Sequence, residues 1–140
     1  MNLVQNIQRQ HNDLVEISND ILASLQGNVS FSSRGFRKDL FFLEGKLKIH
    51  LTMEDKHLYP VLFQQERREV REIADEYKKE MMSLFDTFHA FMLKVKETDG
   101  DNADSTGLRS ELHQILEKIS ARISFEEETM IPLLSRIGIT

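Results

Sequence analysis

The stretch HLTMEDKHLYP, residues 50–60, decides how this chain folds. Apolar residues lead into it at the three- and four-residue spacing of an amphipathic helix: Leu40, Leu43 and Leu47. The next two positions of this stripe are His50 and Glu54, so an imidazole and a carboxylate stand where leucines are expected. A carboxylate that is buried without a partner is costly. The interior is therefore expected to supply a metal ion, a proton or a fixed cation that meets these two groups.

A related stretch, RISFEEETMIP, returns in the second half of the chain at residues 122–132. Glu126 aligns with Glu54, and both stretches end in proline, but Arg122 stands where the first stretch has His50. An apolar stripe precedes this stretch as well: Leu112, Ile115 and Ile119. The chain is therefore expected to contain two half-units, each ending in a helix that carries a polar pair in its apolar face.

Composition narrows the classes of function that the chain can serve. It has 140 residues, a formal net charge of −5 and no cysteine. A mildly acidic chain without a basic block is not expected to bind nucleic acid. The lack of cysteine excludes thiolate zinc sites, iron–sulfur clusters, disulfides and thiol catalysis by these residues. No apolar run approaches membrane-spanning length, and the first residues do not resemble a signal peptide. We therefore expect a soluble, cytoplasmic protein with no membrane partner.

The apolar spacing predicts one domain over residues 1–140 with four helices. Their expected bounds are about 3–26, 33–59, 66–97 and 107–131. Pro60 disfavours helical geometry in the residue before it and is expected to end or kink the second helix. Four helices of similar length joined by short loops predict an all-α fold, an antiparallel up-down-up-down four-helix bundle.

Each predicted helix carries polar residues on its inner face. These are His11 on the first helix, His50 and Glu54 on the second, His89 on the third, and Arg122 and Glu126, with Glu127 beside it, on the fourth. Imidazole nitrogen and carboxylate oxygen together form a ligand set for iron, manganese or zinc, and bundle cores commonly hold such sites. The alternative is a metal-free polar cluster in which Arg122 pairs with Glu54 or Glu126 and the histidines complete the hydrogen bonds.

This pattern resembles the hemerythrin-like, or HHE, cation-binding domains. Their motif is a histidine on the first helix, His-x-x-x-Glu on the second, a histidine on the third and His-x-x-x-Glu on the fourth. The corresponding positions here are His11, His50 with Glu54, His89, and Arg122 with Glu126. The resemblance implies a four-helix bundle with a pair of non-haem irons in its core, which binds O₂ in hemerythrins proper. It also implies roles for the residues: Glu54 and Glu126 (or Glu127) as bridges, His11 and His50 on one iron, and His89 on the other.

Two departures from the family pattern weaken the second iron position. Hemerythrins proper place two histidines one turn apart on the third helix, whereas here only His89 is present. Arg122 replaces the histidine of the fourth helix, and arginine stays protonated and cannot ligate a metal. A cation at this position would also repel a second iron. We therefore expect either an asymmetric iron pair or a single metal at His11, His50, Glu54 and Glu126, with Arg122 lining the site.

The leading functional interpretation is a hemerythrin-like protein with one or two non-haem irons, or another divalent metal, that serves O₂, NO or redox sensing or iron binding. The alternative is a metal-free bundle that acts as a regulatory or protein-interaction module and contains a buried Arg122–Glu cluster. A peroxidase-like enzyme would need an open coordination position and a tunnel. No Ser/His/Asp set or glycine-rich phosphate loop indicates other catalysis, so a non-catalytic role is preferred.

Overall fold

A computed structural model of the chain describes residues 2–97 and 107–140. Residues 98–106, which connect the predicted third and fourth helices, lie outside the described residues. The described secondary structure is helical, in this order: α1 (Leu3–Gln26), α2 (Arg34–His57), α3 (Tyr59–Phe63), α4 (Arg68–Glu97), α5 (Leu108–Phe125), a π-helical turn (Glu126–Met130) and α6 (Ile131–Arg136). No described helix is long and apolar enough to cross a membrane.

The four long helices form an antiparallel bundle. Helix α1 packs on α2, α2 on α4, α4 on α5, and α5 on α1, so the ring of contacts closes. The buried side chains form one apolar stripe per helix because apolar residues recur every three or four positions. The prediction of an all-α four-helix bundle is confirmed.

Both prolines of the repeated stretch begin short helices. Helix α2 ends at His57, and Pro60 lies in the first turn of α3; in the same way Pro132 lies in the first turn of α6. Proline has no N–H to bond the carbonyl four residues earlier, so it interrupts a helix, but in a first turn that N–H is not needed. The second helix therefore stops slightly before the predicted position, and a new helix, α3, begins at Tyr59 and packs against α4.

Phe31 closes the end of the bundle at which α1 ends. It belongs to the loop between α1 and α2 and is completely buried. Its ring meets Phe36 edge-on, with ring centroids 5.1 Å apart, and Phe91 of α4 at 6.4 Å. Arg109 of α5 lies over the same ring, 5.7 Å from its centroid. This one aromatic side chain thus contacts α2, α4 and α5 at this end of the bundle.

Alanine substitutions at two glycines are expected to change the stability of the protein in opposite directions. Gly45 lies inside α2 on the exposed side, and an added Cβ would meet nothing within 4 Å. We expect Gly45→Ala to raise the free energy of unfolding by about 0.5–1 kcal/mol, because alanine is the better helix former. Gly107 also has open space, but its φ is +81°. We expect Gly107→Ala to lower the free energy of unfolding by roughly 1–2 kcal/mol because a Cβ is strained in that region. Urea denaturation measures both, and equal effects would contradict the expectation.

Candidate metal centre

The polar centre is assembled from three elements of the bundle. Helix α1 provides His11, α2 provides His50 and Glu54, and the π-helical turn provides Glu126. All four side chains are at most 2 % exposed. They are buried because each occupies a position of an apolar stripe, so the packing that buries the neighbouring leucines and isoleucines buries them too.

Two histidine nitrogens converge on one carboxylate oxygen. His11 Nε2 lies 3.0 Å from Glu126 Oε1, and His50 Nε2 lies 3.5 Å from the same oxygen. The ligand atoms of these three residues all lie within 4.8 Å of one another. The two imidazole rings are 4.9 Å apart between centroids and inclined at 57°. This arrangement can surround one metal ion.

The other nitrogen of each histidine faces a hydrogen-bond acceptor outside the centre. His11 Nδ1 is 2.7 Å from Glu127 Oε1, and His50 Nδ1 is 2.8 Å from Gln10 Oε1. When each Nδ1–H donates to its acceptor, the Nε2 lone pair is left pointing at the centre, which is the tautomer that a metal ligand requires. Glu127 therefore lies behind His11, where it orients the ring. Gln10 was not identified from the sequence, although its position directly before His11 placed it close to the centre.

Glu54 is the unsatisfied group of the centre. It is completely buried, and within the described part of the chain neither of its oxygens has a hydrogen-bond partner. His50 Nε2 lies 3.4 Å from its Oε1. The oxygens lack a partner only while Glu54 is ionised, because a proton on Glu54 can be shared with Glu126. Burial, and then the charge of Glu126, raise the pKa of Glu54 well above its ordinary value. An orphaned buried carboxyl beside two imidazoles and a second carboxylate fits a cation site, because a cation would satisfy oxygens that the protein leaves unpaired.

The two carboxyl groups of the centre titrate in opposite directions. Burial by itself would raise the pKa of Glu126, but the adjoining Glu54 carboxyl, when it carries a proton to donate, and the imidazoles of His11 and His50 hold that pKa well below its ordinary value. Burial would lower the pKa of His11, but the neighbouring Glu126 and Glu127 raise it. Glu126 is thus the ionised carboxylate of the pair, and Glu54 carries the proton unless a cation replaces it.

Two buried tyrosines complete the surroundings. Tyr77 of α4 donates its hydroxyl to Glu126 Oε2, whereas the hydroxyl of Tyr59 has no hydrogen-bond partner among the described residues. Burial raises the pKa of both phenols. The sequence did not reveal the contact between Tyr77 and Glu126. The signal for it was the hydroxyl itself, because a buried tyrosine usually has a partner.

Comparison with known protein families matches residues 2–134 to the hemerythrin HHE cation-binding domain. The chain belongs to this family. No curated protein and no solved structure matches it. The resemblance inferred from the motif is therefore confirmed, and the group of His11, His50 and Glu126 is the part of this HHE domain that could hold a cation.

His89 does not contribute to this cation site, and its predicted interior position is wrong. Its side chain is 57 % exposed, and its Nδ1 lies 3.2 Å from Glu44 Oε2. It is also about 18 Å along α4 from Tyr77, at 1.5 Å per residue. Because α4 runs antiparallel to α2, the residues opposite the end of α2 are those near the start of α4. The third helix therefore presents Tyr77 to the centre where the HHE motif has a histidine.

Arg122 does not line the cation site either. Its guanidinium pairs with Glu80 of α4, and its side chain remains 28 % exposed. It also lies over the ring of Phe125, 5.2 Å from the centroid. This placement contradicts the predicted buried Arg122–Glu cluster with Glu54 or Glu126. The physical reason is desolvation: on the flank of α5 the guanidinium reaches a carboxylate while staying partly hydrated, which burial in the core would not allow.

A π-helical turn follows α5 and carries the acidic residues of the centre. It begins at Glu126, where the N–H of Ile131 bonds the carbonyl of Glu126, five residues earlier. The extra residue in this turn changes the phase of the helix, as single π turns do. Glu126 and Glu127 consequently bracket the ring of His11 at its two nitrogens. The predicted equivalence of the two repeated stretches therefore holds for Glu54 and Glu126 but not for His50 and Arg122.

The partly exposed position of Arg122 leads to a prediction about the stability of the protein. We expect Arg122→Ala to lower the free energy of unfolding by no more than about 1 kcal/mol, because partly exposed ion pairs contribute little. Glu80→Ala serves as the matched variant and should behave alike. Chemical denaturation of the metal-free protein measures both. A loss of about 3–5 kcal/mol for Arg122→Ala alone would instead indicate a buried ion pair.

Proposed function

We propose that this HHE domain binds one non-haem ferrous iron per chain through His11 Nε2, His50 Nε2 and Glu126, with Glu54 as a further ligand. The observation that carries the proposal is the convergence of three buried ligand atoms within 4.8 Å beside a carboxyl with no partner. Two imidazoles and a carboxylate form a set that suits non-haem Fe(II). The carboxylates of Glu54 and Glu126 would together balance the charge of a divalent ion, which favours burial of the complete group.

We propose one iron per chain because a second iron would lack suitable ligands. His89 is at the surface, and Arg122 is bound to Glu80. No imidazole other than those of His11 and His50 joins the candidate ligand group in the described ranges. A second iron would have to rely on carboxylate oxygens alone. We therefore infer a single iron in place of the pair that the resemblance implies.

We further propose that the iron binds O₂ or NO, and that the protein senses these molecules or binds iron. Four protein ligands leave positions open in a six-coordinate ion, and an open position is what a diatomic ligand needs. The surrounding chain contributes an apolar enclosure for such a ligand. The competing proposal of a metal-free regulatory bundle depended on a buried Arg122–Glu cluster, and Arg122 is bound elsewhere.

Metal content tests this proposal. We expect the wild-type protein, reconstituted anaerobically with ferrous iron and freed of excess metal, to contain about one iron per chain by elemental analysis. His50→Ala should weaken binding by more than about 100-fold, because loss of a ligand costs more than loss of a group behind one. His89→Ala is the matched control, since it removes a histidine from the surface, and should leave binding unchanged. Absence of iron from a folded wild-type protein would refute the proposal.

Exposure of the iron-loaded protein to NO separates the two proposed roles. An electron paramagnetic resonance signal from an iron–nitrosyl species would support binding of a diatomic ligand. Iron binding without any response to NO or O₂ would restrict the function to iron binding.

A further inference from the structure

Helix α4 contributes one residue to the centre, and it is a phenol. Tyr77 is 2 % exposed, and its hydroxyl donates to Glu126 Oε2. The other oxygen, Oε1, faces His11 Nε2 at 3.0 Å and His50 Nε2 at 3.5 Å. The two oxygens of this carboxylate therefore have separate partners, one on the side of the histidines and one on the side of α4.

A carboxylate that bridges two metal ions uses one oxygen for each ion. In this protein the oxygen that would meet a second ion is already occupied by the hydroxyl of Tyr77. We propose that Tyr77 limits the centre to one metal ion, by holding Glu126 Oε2 in a hydrogen bond so that Glu126 can ligate through Oε1 only. Tyr77 is thus a positioning residue that acts through Glu126. The inference rests on the proposed iron binding at His11, His50 and Glu126.

The ring of Tyr77 is fixed in place, so the hydroxyl cannot easily leave Glu126. It stacks on Phe125, with ring centroids 5.5 Å apart and an angle of 22° between the planes. On another side lies Tyr59, 6.4 Å away between centroids. Tyr59 is 1 % exposed, and Phe125 is partly buried against the core. A second ion could therefore enter only by displacing the phenol from a site in which aromatic rings hold it.

The surface position of His89 leaves α4 without a histidine at the level of the centre, where Tyr77 lies. The third helix of the HHE motif supplies a histidine, and at the level of the centre this chain has Tyr77 instead. The substitution Tyr77→His would remove the hydrogen bond to Glu126 Oε2 and would supply an imidazole at the same time. The two changes together would provide a second ion with ligands that the wild-type chain withholds.

Four proteins test the inference: wild type, Tyr77→His, Tyr77→Phe and Tyr59→Phe. Tyr59→Phe is the matched control because it also removes a buried hydroxyl, but one without a partner among the described residues. Each is reconstituted anaerobically with ferrous iron, and iron per chain and the Kd for ferrous iron are measured. Circular dichroism establishes that each variant is folded.

We expect about one iron per chain in the wild type and in both phenylalanine variants, and two in Tyr77→His. Tyr77→Phe should weaken the binding of the single iron by about 10–100-fold, the usual effect of losing a hydrogen bond to a ligand. Tyr59→Phe should leave the Kd unchanged. A merely structural role of Tyr77 would alter stability without changing the iron content of Tyr77→His or the Kd of Tyr77→Phe.

Three results would overturn the inference. One is a folded Tyr77→His protein that still binds one iron, and another is a Kd for Tyr77→Phe that equals that of Tyr59→Phe. The third is a visible phenolate-to-iron charge-transfer band in the oxidised wild type that Tyr77→Phe lacks, because Tyr77 would then be a ligand. If Tyr77→His does not fold, the comparison of the two phenylalanine variants still decides. A wild type without iron would instead refute the proposed function, and it is recognised without any variant of Tyr77.

Discussion

The burial of two carboxyl groups side by side is the constraint on which the rest of this structure depends. Glu54 and Glu126 are both completely buried in a bundle whose core is mostly apolar. Two negative charges in that environment would be strongly destabilising, so protons, the imidazoles of His11 and His50, or a cation must neutralise them. The pKa of Glu54 is raised and that of Glu126 is lowered, which is the pattern of two neighbouring buried carboxyls that share one proton.

The bundle holds this polar group in a defined geometry through contacts behind the ligands. Gln10 and Glu127 accept from the outer nitrogens of the two histidines, and Tyr77 donates to the far oxygen of Glu126. These contacts come from different helices, so the arrangement exists only when the bundle is assembled. Glu54 is the exception, since nothing described in the chain satisfies its oxygens. Glu54 is therefore the group of the site that a cation would satisfy.

Several predictions from the sequence hold because they depend on spacing along a single helix. The stripes that predicted four helices are the stripes that are buried, and His11, His50, Glu54 and Glu126 are buried because they continue those stripes. The prediction that His89 lies in the interior was wrong for a different reason. It neighbours an apolar stripe of α4, but the antiparallel order places it far from the end of α2 that carries the centre. Counting back from the loop between α2 and α4 would have identified the level of Tyr77.

Periodicity thus determined the helices, the fold class and the two half-sites of this HHE domain, because the direction of a side chain on a regular helix follows from its position in the sequence. The partners across the bundle were decided only by tertiary structure. Tyr77 meets Glu126 because of the register between α4 and α5, and Arg122 turns to Glu80 because α4 offers a partly hydrated carboxylate beside the flank of α5. The π-helical turn that aims Glu126 and Glu127 at His11 departs from the regular period. Register and rotation arise from packing between distant segments, and no local pattern encodes them.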